Sequence, residues 1–240
     1  MIATLVVWNT EWASPRSSRG QIILRHIVTQ EPDILCLTES VIGFAPEGGH
    51  AVASDPDYGY QAAPARRKVI LWSREPWQHA DSQGVAGLPS GRFVEAHTRT
   101  PVGMILVTGV CVPWRDAHVR TGQRNRRPWE DHLAFLNALP PLTKRLRTGP
   151  ALLVGDFNQR IPPVRTPARA AAALARVTEP FQLVTGGLIP GLSRQCVDHV
   201  ALSEDLAVHS VQGLPAEHNG IALSDHPGIV VRFSAAPGAA

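Results

Sequence analysis

Apolar runs of strand length recur along this 240-residue chain, and turn-forming or polar residues close each of them. Runs of four to eight residues rich in Val, Ile and Leu are too short for ordinary helices and read as buried strands. They place strands at 4–9, 34–38, 69–73, 92–97, 104–112, 151–155, 196–202, 208–212 and 228–233. Helical spacing appears at 21–29, where Ile22, Ile23, His26 and Ile27 share a face. It appears again at 129–139, ending before Pro140 and Pro141, and in the alanine-rich stretch 168–175. Strands outnumber helices and several follow one another directly. The expectation is an α/β fold with one mixed sheet, or two packed sheets with helices outside. The length fits a single domain over 1–234, with the Ala/Gly/Pro stretch 235–240 as a flexible tail. Long connections are expected at 40–66, 113–128 and 156–167.

Composition excludes several classes. With 44% hydrophobic and 18% charged residues, the chain is not a disordered one. No apolar run approaches the roughly 20 residues of a membrane-spanning helix. The start of the chain lacks the basic leader and long apolar stretch of a secretory signal, so a cytoplasmic location is expected. Cys36, Cys111 and Cys196 include no CxxC pair, which argues against a disulfide framework or a thiolate zinc site. The net charge is only +3, yet five Arg and one Asp fall within 115–127. Such a run is either a solvated surface loop or a phosphate-binding one, since guanidinium forks suit phosphate oxygens.

The strand ends carry the chemistry. The first run ends at Asn9 and the second at Glu39; another leads into Gly155-Asp156-Phe157-Asn158. Asp198 interrupts a further apolar stretch, and Ser224-Asp225-His226-Pro227 precedes the last strand. Each taken alone is an ordinary cap or turn residue, but α/β sheets bind ligands beyond their strand ends, and the recurrence suggests a shared rim. Strand alternation would put Asp156 and Asn158 on one side, with Phe157 toward the core. A carboxylate beside an amide can then orient a water. His226 needs a partner for its second nitrogen, and Asp198 is the candidate. Glu39, Asp225, Asp156, Asn9 and Asn158 form an oxygen-rich set that suits Mg²⁺, with Mn²⁺ as substitute. Phosphoester hydrolysis follows: a divalent ion neutralises phosphate, Asp156 activates water, and His226 steadies the phosphoryl oxygens or serves as acid or base.

Six segments together resemble the endonuclease/exonuclease/phosphatase superfamily of deoxyribonuclease-I-like and exonuclease-III-like phosphodiesterases. They span residues 7–10, 33–39, 109–113, 154–158, 197–203 and 224–227, in family order. The resemblance implies two packed mixed β-sheets flanked by helices, a four-layer α/β sandwich, with the site at one end. It implies Glu39 as principal metal ligand with Asn9 and Asp225 beside it. Asp156 and Asn158 would position water and scissile phosphate, and His226 would pair with Asp198. The chain departs from that pattern at Thr38, where many members carry Gln, and at Cys111, near a usual Tyr or His. Arg115 or His118 would then take over phosphate contact.

Nucleic acid is the expected substrate. Trp114, Arg115, His118, Arg124, Arg126 and Arg127 offer an indole for stacking and cations for phosphates. The alternative is a small phosphodiester, a sugar phosphate or a lipid head group; a lipid enzyme would need an apolar lip, for which Val41, Ile42 and Phe44 are the candidates. A non-catalytic binding module of the same fold is the third reading.

Overall fold

The computed structural model describes residues 1–61 and 63–238. Two six-stranded sheets face each other. The first runs in the order β11 (Leu206–Leu214), β14 (Gly228–Ala235), β1 (Ala3–Asn9), β2 (Ile34–Val41), β4 (Arg66–Ser73), β3 (His50–Ala53). The second runs β5 (Trp77–Asp81), β6 (Phe93–Thr100), β7 (Gly103–Cys111), β8 (Ala151–Asp156), β10 (Asp198–Leu202), β9 (Gln182–Leu183). A two-stranded ribbon, β12 (Glu217–His218) with β13 (Ile221–Ala222), is separate. The pairs β1–β2 and β7–β8 are parallel. Parallel neighbours need a long crossover, and helices supply it: α1 (Ser18–Thr29) for the first pair, α2 (Glu130–Ala138) and α3 (Pro140–Arg145) for the second. A fourth helix, α4 (Ala168–Thr178), follows β8.

The period of two along each strand sorts side chains into layers. Leu5, Val7, Cys36, Val231 and Phe233 of the first sheet meet Val107, Leu152, Val154 and Val200 of the second. The alternate residues Val6, Trp8, Leu35 and Leu37 pack under Ile22, Ile23 and Ile27 of α1. On the other side, Val110, Leu153 and Ala201 pack under Phe135 and Leu136 of α2, Leu142 of α3, and Leu174 and Val177 of α4. The order is helix, sheet, sheet, helix. Central strands buried on both faces read as unbroken apolar runs, which is why their sequences were legible.

The structure corrects several element boundaries. β3 lies inside the expected 40–66 connection, and β5 lies outside every expected run. Both are edge strands with partly exposed, mixed sequences, HAVA and WQHAD, so they lack the apolar signal. Helix does not stop at Pro140 for good: α2 ends, and Pro140 occupies the first position of α3. Proline is tolerated there because that N–H has no intrahelical acceptor. β14 includes Ser234 and Ala235, paired with Ala207 and Leu206. Of the expected tail, residues 239–240 lie outside the described residues.

Two local features hold the second sheet to its loops. Gly155 has φ of 130°, and a Cβ there would lie 2.0 Å from the Val110 carbonyl oxygen. His132 of α2 is fully buried; its Nδ1–H donates to the Pro113 carbonyl (2.7 Å) and its Nε2 accepts from the Gln159 amide (2.6 Å). Gln159 also donates to Ala170 at the start of α4 (3.0 Å). One neutral imidazole therefore ties together the loop after β7, the segment after β8 and two helices. Burial, opposed by the Pro113 contact, lowers the His132 pKa to about 4.

Gly155→Ala is expected to destabilise the fold by about 2 kcal/mol or more, the scale of a strained backbone position, read by urea denaturation; unchanged stability would mean β7 and β8 can part freely. For His132, the unfolded ring takes up a proton near pH 6.5 and the folded one only near pH 4. Its stabilising contribution is complete above pH 6.5 and is lost on acidification, at up to about 1.4 kcal/mol per pH unit. Denaturation between pH 7 and 4 should show a shallower loss for His132→Gln than for the parent chain. Identical slopes would remove His132 from the acid response.

Candidate active site

Continuing the inward-facing alternation by one step brings polar groups into the space between the sheets. Asp156 ends β8, with Cys111 and Asp198 as its register partners on either side. Asn9 ends β1 in the opposite sheet and spans the gap, its Nδ2 donating to Asp156 Oδ2 (3.2 Å). Its Oδ1 accepts from the Glu11 N–H (2.9 Å). Asn158 reaches Asp156 through a turn at φ 52°, not through strand alternation as the sequence suggests. Its backbone N–H donates to Asp156 Oδ1 (2.9 Å), and its Nδ2 donates to Asp156 Oδ2 (3.0 Å) and the Val112 carbonyl (2.8 Å). Phe157 between them is buried under the outer helices.

The segment 224–227 approaches from the first sheet. Ser224 donates to the Asn9 carbonyl (2.6 Å), and the Trp8 indole donates to the His226 carbonyl (3.1 Å). So placed, His226 donates from Nδ1 to Asp198 Oδ2 (2.6 Å). Asp198 is fully buried, and its other oxygen has no hydrogen-bond partner among the described residues. One oxygen from each aspartate and one His226 nitrogen lie within 4.8 Å of one another. Burial first, then the charge of Asp198, pushes the Asp156 carboxyl up to about 7, with Glu39 adding to the effect. Burial pulls His226 down, but the charge and hydrogen bond of Asp198, helped by Asp156 and Asp225, outweigh it and lift the imidazole to about 10. The centre thus sets a cationic imidazole beside a carboxyl poised near neutrality. Asp225 stands at the rim, mostly exposed, with Oδ1 3.9 Å from His226 Nε2.

Glu39 lies in β2 at φ 45°, a left-handed conformation that costs a bulky residue roughly 1–3 kcal/mol. Its carbonyl accepts from Thr10 Oγ1 (3.0 Å) and from the Trp12 N–H (2.6 Å). Its partly exposed carboxylate pairs with the Lys68 ammonium from β4. Thr38 beside it is buried, with no partner for its hydroxyl among the described residues. Cys111 belongs to the inter-sheet core, where burial holds the thiol well above its ordinary pKa.

The structure therefore gathers Asn9, Asp156, Asn158, Asp198 and His226, with Asp225 and Glu39 beside them. It treats the arginine loop differently. Arg126 bonds Asp131 (2.7 Å), Arg115 lies 3.4 Å from Asp116, and Arg124 and Arg127 are exposed. His118 is buried against Tyr60, its Nδ1 accepting from the Gln123 N–H (3.1 Å), so its ring is turned inward. Trp114 remains 45% exposed. Sequence reasoning passed over Lys68, Arg92 and the aromatic residues Trp12, Tyr58 and Tyr60, which line a cavity of about 230 Å³ next to Glu39. They belong to no motif; only the scarcity of lysine, two in the chain, sets Lys68 apart.

The fold has counterparts. A family model described as the endonuclease/exonuclease/phosphatase family matches residues 6–226. Among solved structures, the 3′-5′ exonuclease NExo from Neisseria meningitidis is 15% identical, with 96% of this chain and 99% of that one covered and a TM-score of 0.70. The endonuclease/exonuclease/phosphatase from Bacteroides vulgatus is 12% identical, with 98% and 100% covered and a TM-score of 0.69. The catalytic domain of human Nocturnin, with a bound sulfate, is 17% identical, with 98% and 94% covered and a TM-score of 0.66. At these identities the likeness is one of fold. No curated protein matches the sequence. Among the described residues no helix is long and apolar enough to cross a membrane. With the matched family spanning nearly the whole chain and the fold shared with its structures, the chain belongs to the endonuclease/exonuclease/phosphatase family, whose members hydrolyse phosphoester bonds.

Proposed function

We propose that this protein is a divalent-metal-dependent phosphodiester hydrolase that cleaves nucleic acid by attack of water on phosphorus. The observation that carries the reading is Asp156: buried, held by Asn9 and Asn158, and set against the His226–Asp198 pair. The donor set fits a hard divalent cation. Asp156 and Asp198 lie together with His226, and Glu39, paired with Lys68, and Asp225 add two further carboxylates at the edge of this group. Oxygen donors of this kind suit Mg²⁺ or Mn²⁺. Glu39 would hold the ion, with Asn9 and Asp225 beside it. When bound, the ion neutralises phosphate charge and steadies the leaving oxygen.

The protein's own groups supply the rest. Asp156, with a pKa raised to about 7, suits a base near neutral pH. The Asn158 amide fixes that carboxylate and stands beside the place a water would take. His226 is kept protonated and oriented by Asp198, so its Nε2–H is free to meet a phosphoryl oxygen, where negative charge gathers as water adds.

A small phosphodiester is the second reading, favoured by Arg126 and Arg115 being engaged with acidic neighbours. A lipid head group gains little: of the three lip candidates Phe44 is buried, Val41 is half-buried, and only Ile42 is exposed.

Activity with Mg²⁺ or with EDTA on plasmid, single strands, RNA, bis-p-nitrophenyl phosphate and sphingomyelin separates these readings. Nucleic acid should be cut with Mg²⁺ alone; no cleavage of any substrate would leave a binding module. Glu39→Gln should abolish Mg²⁺-dependent turnover and weaken Mn²⁺ binding by calorimetry, and an unchanged rate removes Glu39 from the metal. Asp156→Asn should lower kcat by at least about 10²-fold, the scale of general-base catalysis. A rate within a few-fold of the parent would assign the proton to another group.

A further inference from the structure

The cavity beside Glu39 is built unlike an ordinary surface cleft. Arg92, just before β6, is 2% exposed, yet no carboxylate of the described residues lies within ion-pair reach of its guanidinium. Its Nη1 makes one long contact, 3.4 Å to the Cys111 carbonyl, and its Nη2 has no partner among the described residues. A buried cation with unmet donors is costly unless an anion completes it. Arg92 stands in the wall of this cavity, and of a neighbouring one shared with Tyr58 and His118.

The walls describe the rest of the ligand. Trp12 and Tyr58 lie nearly parallel, 15° apart with centroids 6.0 Å apart. Cations already cover them: the Arg66 guanidinium lies 4.9 Å from the Trp12 ring, and the Lys68 ammonium lies 5.1 and 5.2 Å from the Trp12 and Tyr58 rings. Trp114 differs. It lines the cavity, is 45% exposed, and no ring or cation of the described residues stacks on it. An open indole face is a platform for a nucleobase. A cavity of about 230 Å³ is below the ~300–1,000 Å³ of drug-sized sites, a size that suits one ring with its phosphate better than a base pair.

We propose that this cavity is a subsite for one unpaired nucleotide next to the scissile phosphodiester, with Arg92 on its phosphate and Trp114 against its base. The enzyme would then act on single strands or frayed ends in preference to the interior of a duplex. The proposal rests on the hydrolase reading above and names its substrate class.

The test is binding to the full chain in EDTA, without metal or turnover, by calorimetry. The probes are a 5′-phosphorylated thymidine dinucleotide, inorganic phosphate, and a dumbbell duplex without ends. Arg92→Lys and Arg92→Met should each weaken dinucleotide and phosphate binding by about tenfold or more. Trp114→Ala, at an exposed position that does not threaten folding, should weaken the dinucleotide by about tenfold and leave phosphate unchanged. The dumbbell should bind at least about tenfold more weakly than the dinucleotide. Dinucleotide affinity indifferent to Trp114→Ala and Arg92→Lys, or a dumbbell that binds as tightly, overturns the proposal. A chain that binds the dinucleotide as expected but cleaves nothing with Mg²⁺ overturns the hydrolase reading alone and upholds the subsite.

Discussion

Two carboxylates, Asp156 and Asp198, stand opposite each other in register on adjacent strands and are buried between two sheets. Like charges so placed, away from water, cannot both be ionised without compensation. Much of the surrounding structure answers that problem. His226 brings a positive charge to Asp198, and Asn9 and Asn158 bring amide donors to Asp156. Even so, Asp156 is left near neutrality instead of fully charged. The electrostatic imbalance at this end of the sandwich thus leaves a carboxyl near neutrality beside a cationic imidazole.

The apolar layers make this arrangement rigid. Asn9, Asp156 and Asp198 are each the next inward position after buried aliphatic residues, Val7, Val154 and, reading in the other direction, Val200. Their side chains therefore inherit the precision of close packing. Backbone strain gathers at the same end: Glu39 and Asn158 lie in the left-handed region, and Gly155 in a conformation open only to glycine. Such positions persist where packing over-determines them. Here the neighbouring strands and the His132–Gln159 contact supply that constraint.

The site also has two unlike flanks. On one side of Asp156 lies the His226–Asp198 pair; on the other, Glu39 leads into a cavity of aromatic rings and cations. Lys68 ties Glu39 to the wall of that cavity, since its ammonium reaches both the Glu39 carboxylate and the Trp12 and Tyr58 rings. The exposed arginines at 124 and 127 lie on the loop surface, where salt screens their charge. The buried Arg92 guanidinium is screened far less.

The sequence by itself determined the strands of the two sheet centres, three of the helices and the polar residues at the strand ends. All of these are written in local patterns: uninterrupted apolar runs, helical spacing, and short motifs such as Gly155-Asp156-Phe157-Asn158. Edge strands β3 and β5 were not legible, because their pairing comes from neighbours and not from their own mixed composition. Only the tertiary structure decided that Arg126 is held by Asp131, that His118 turns inward against Tyr60, and that Lys68, Arg92 and Trp12 meet beside Glu39. Those outcomes depend on which long side chains come within a few ångströms after the sheets have packed, and no local pattern in the chain encodes such distances.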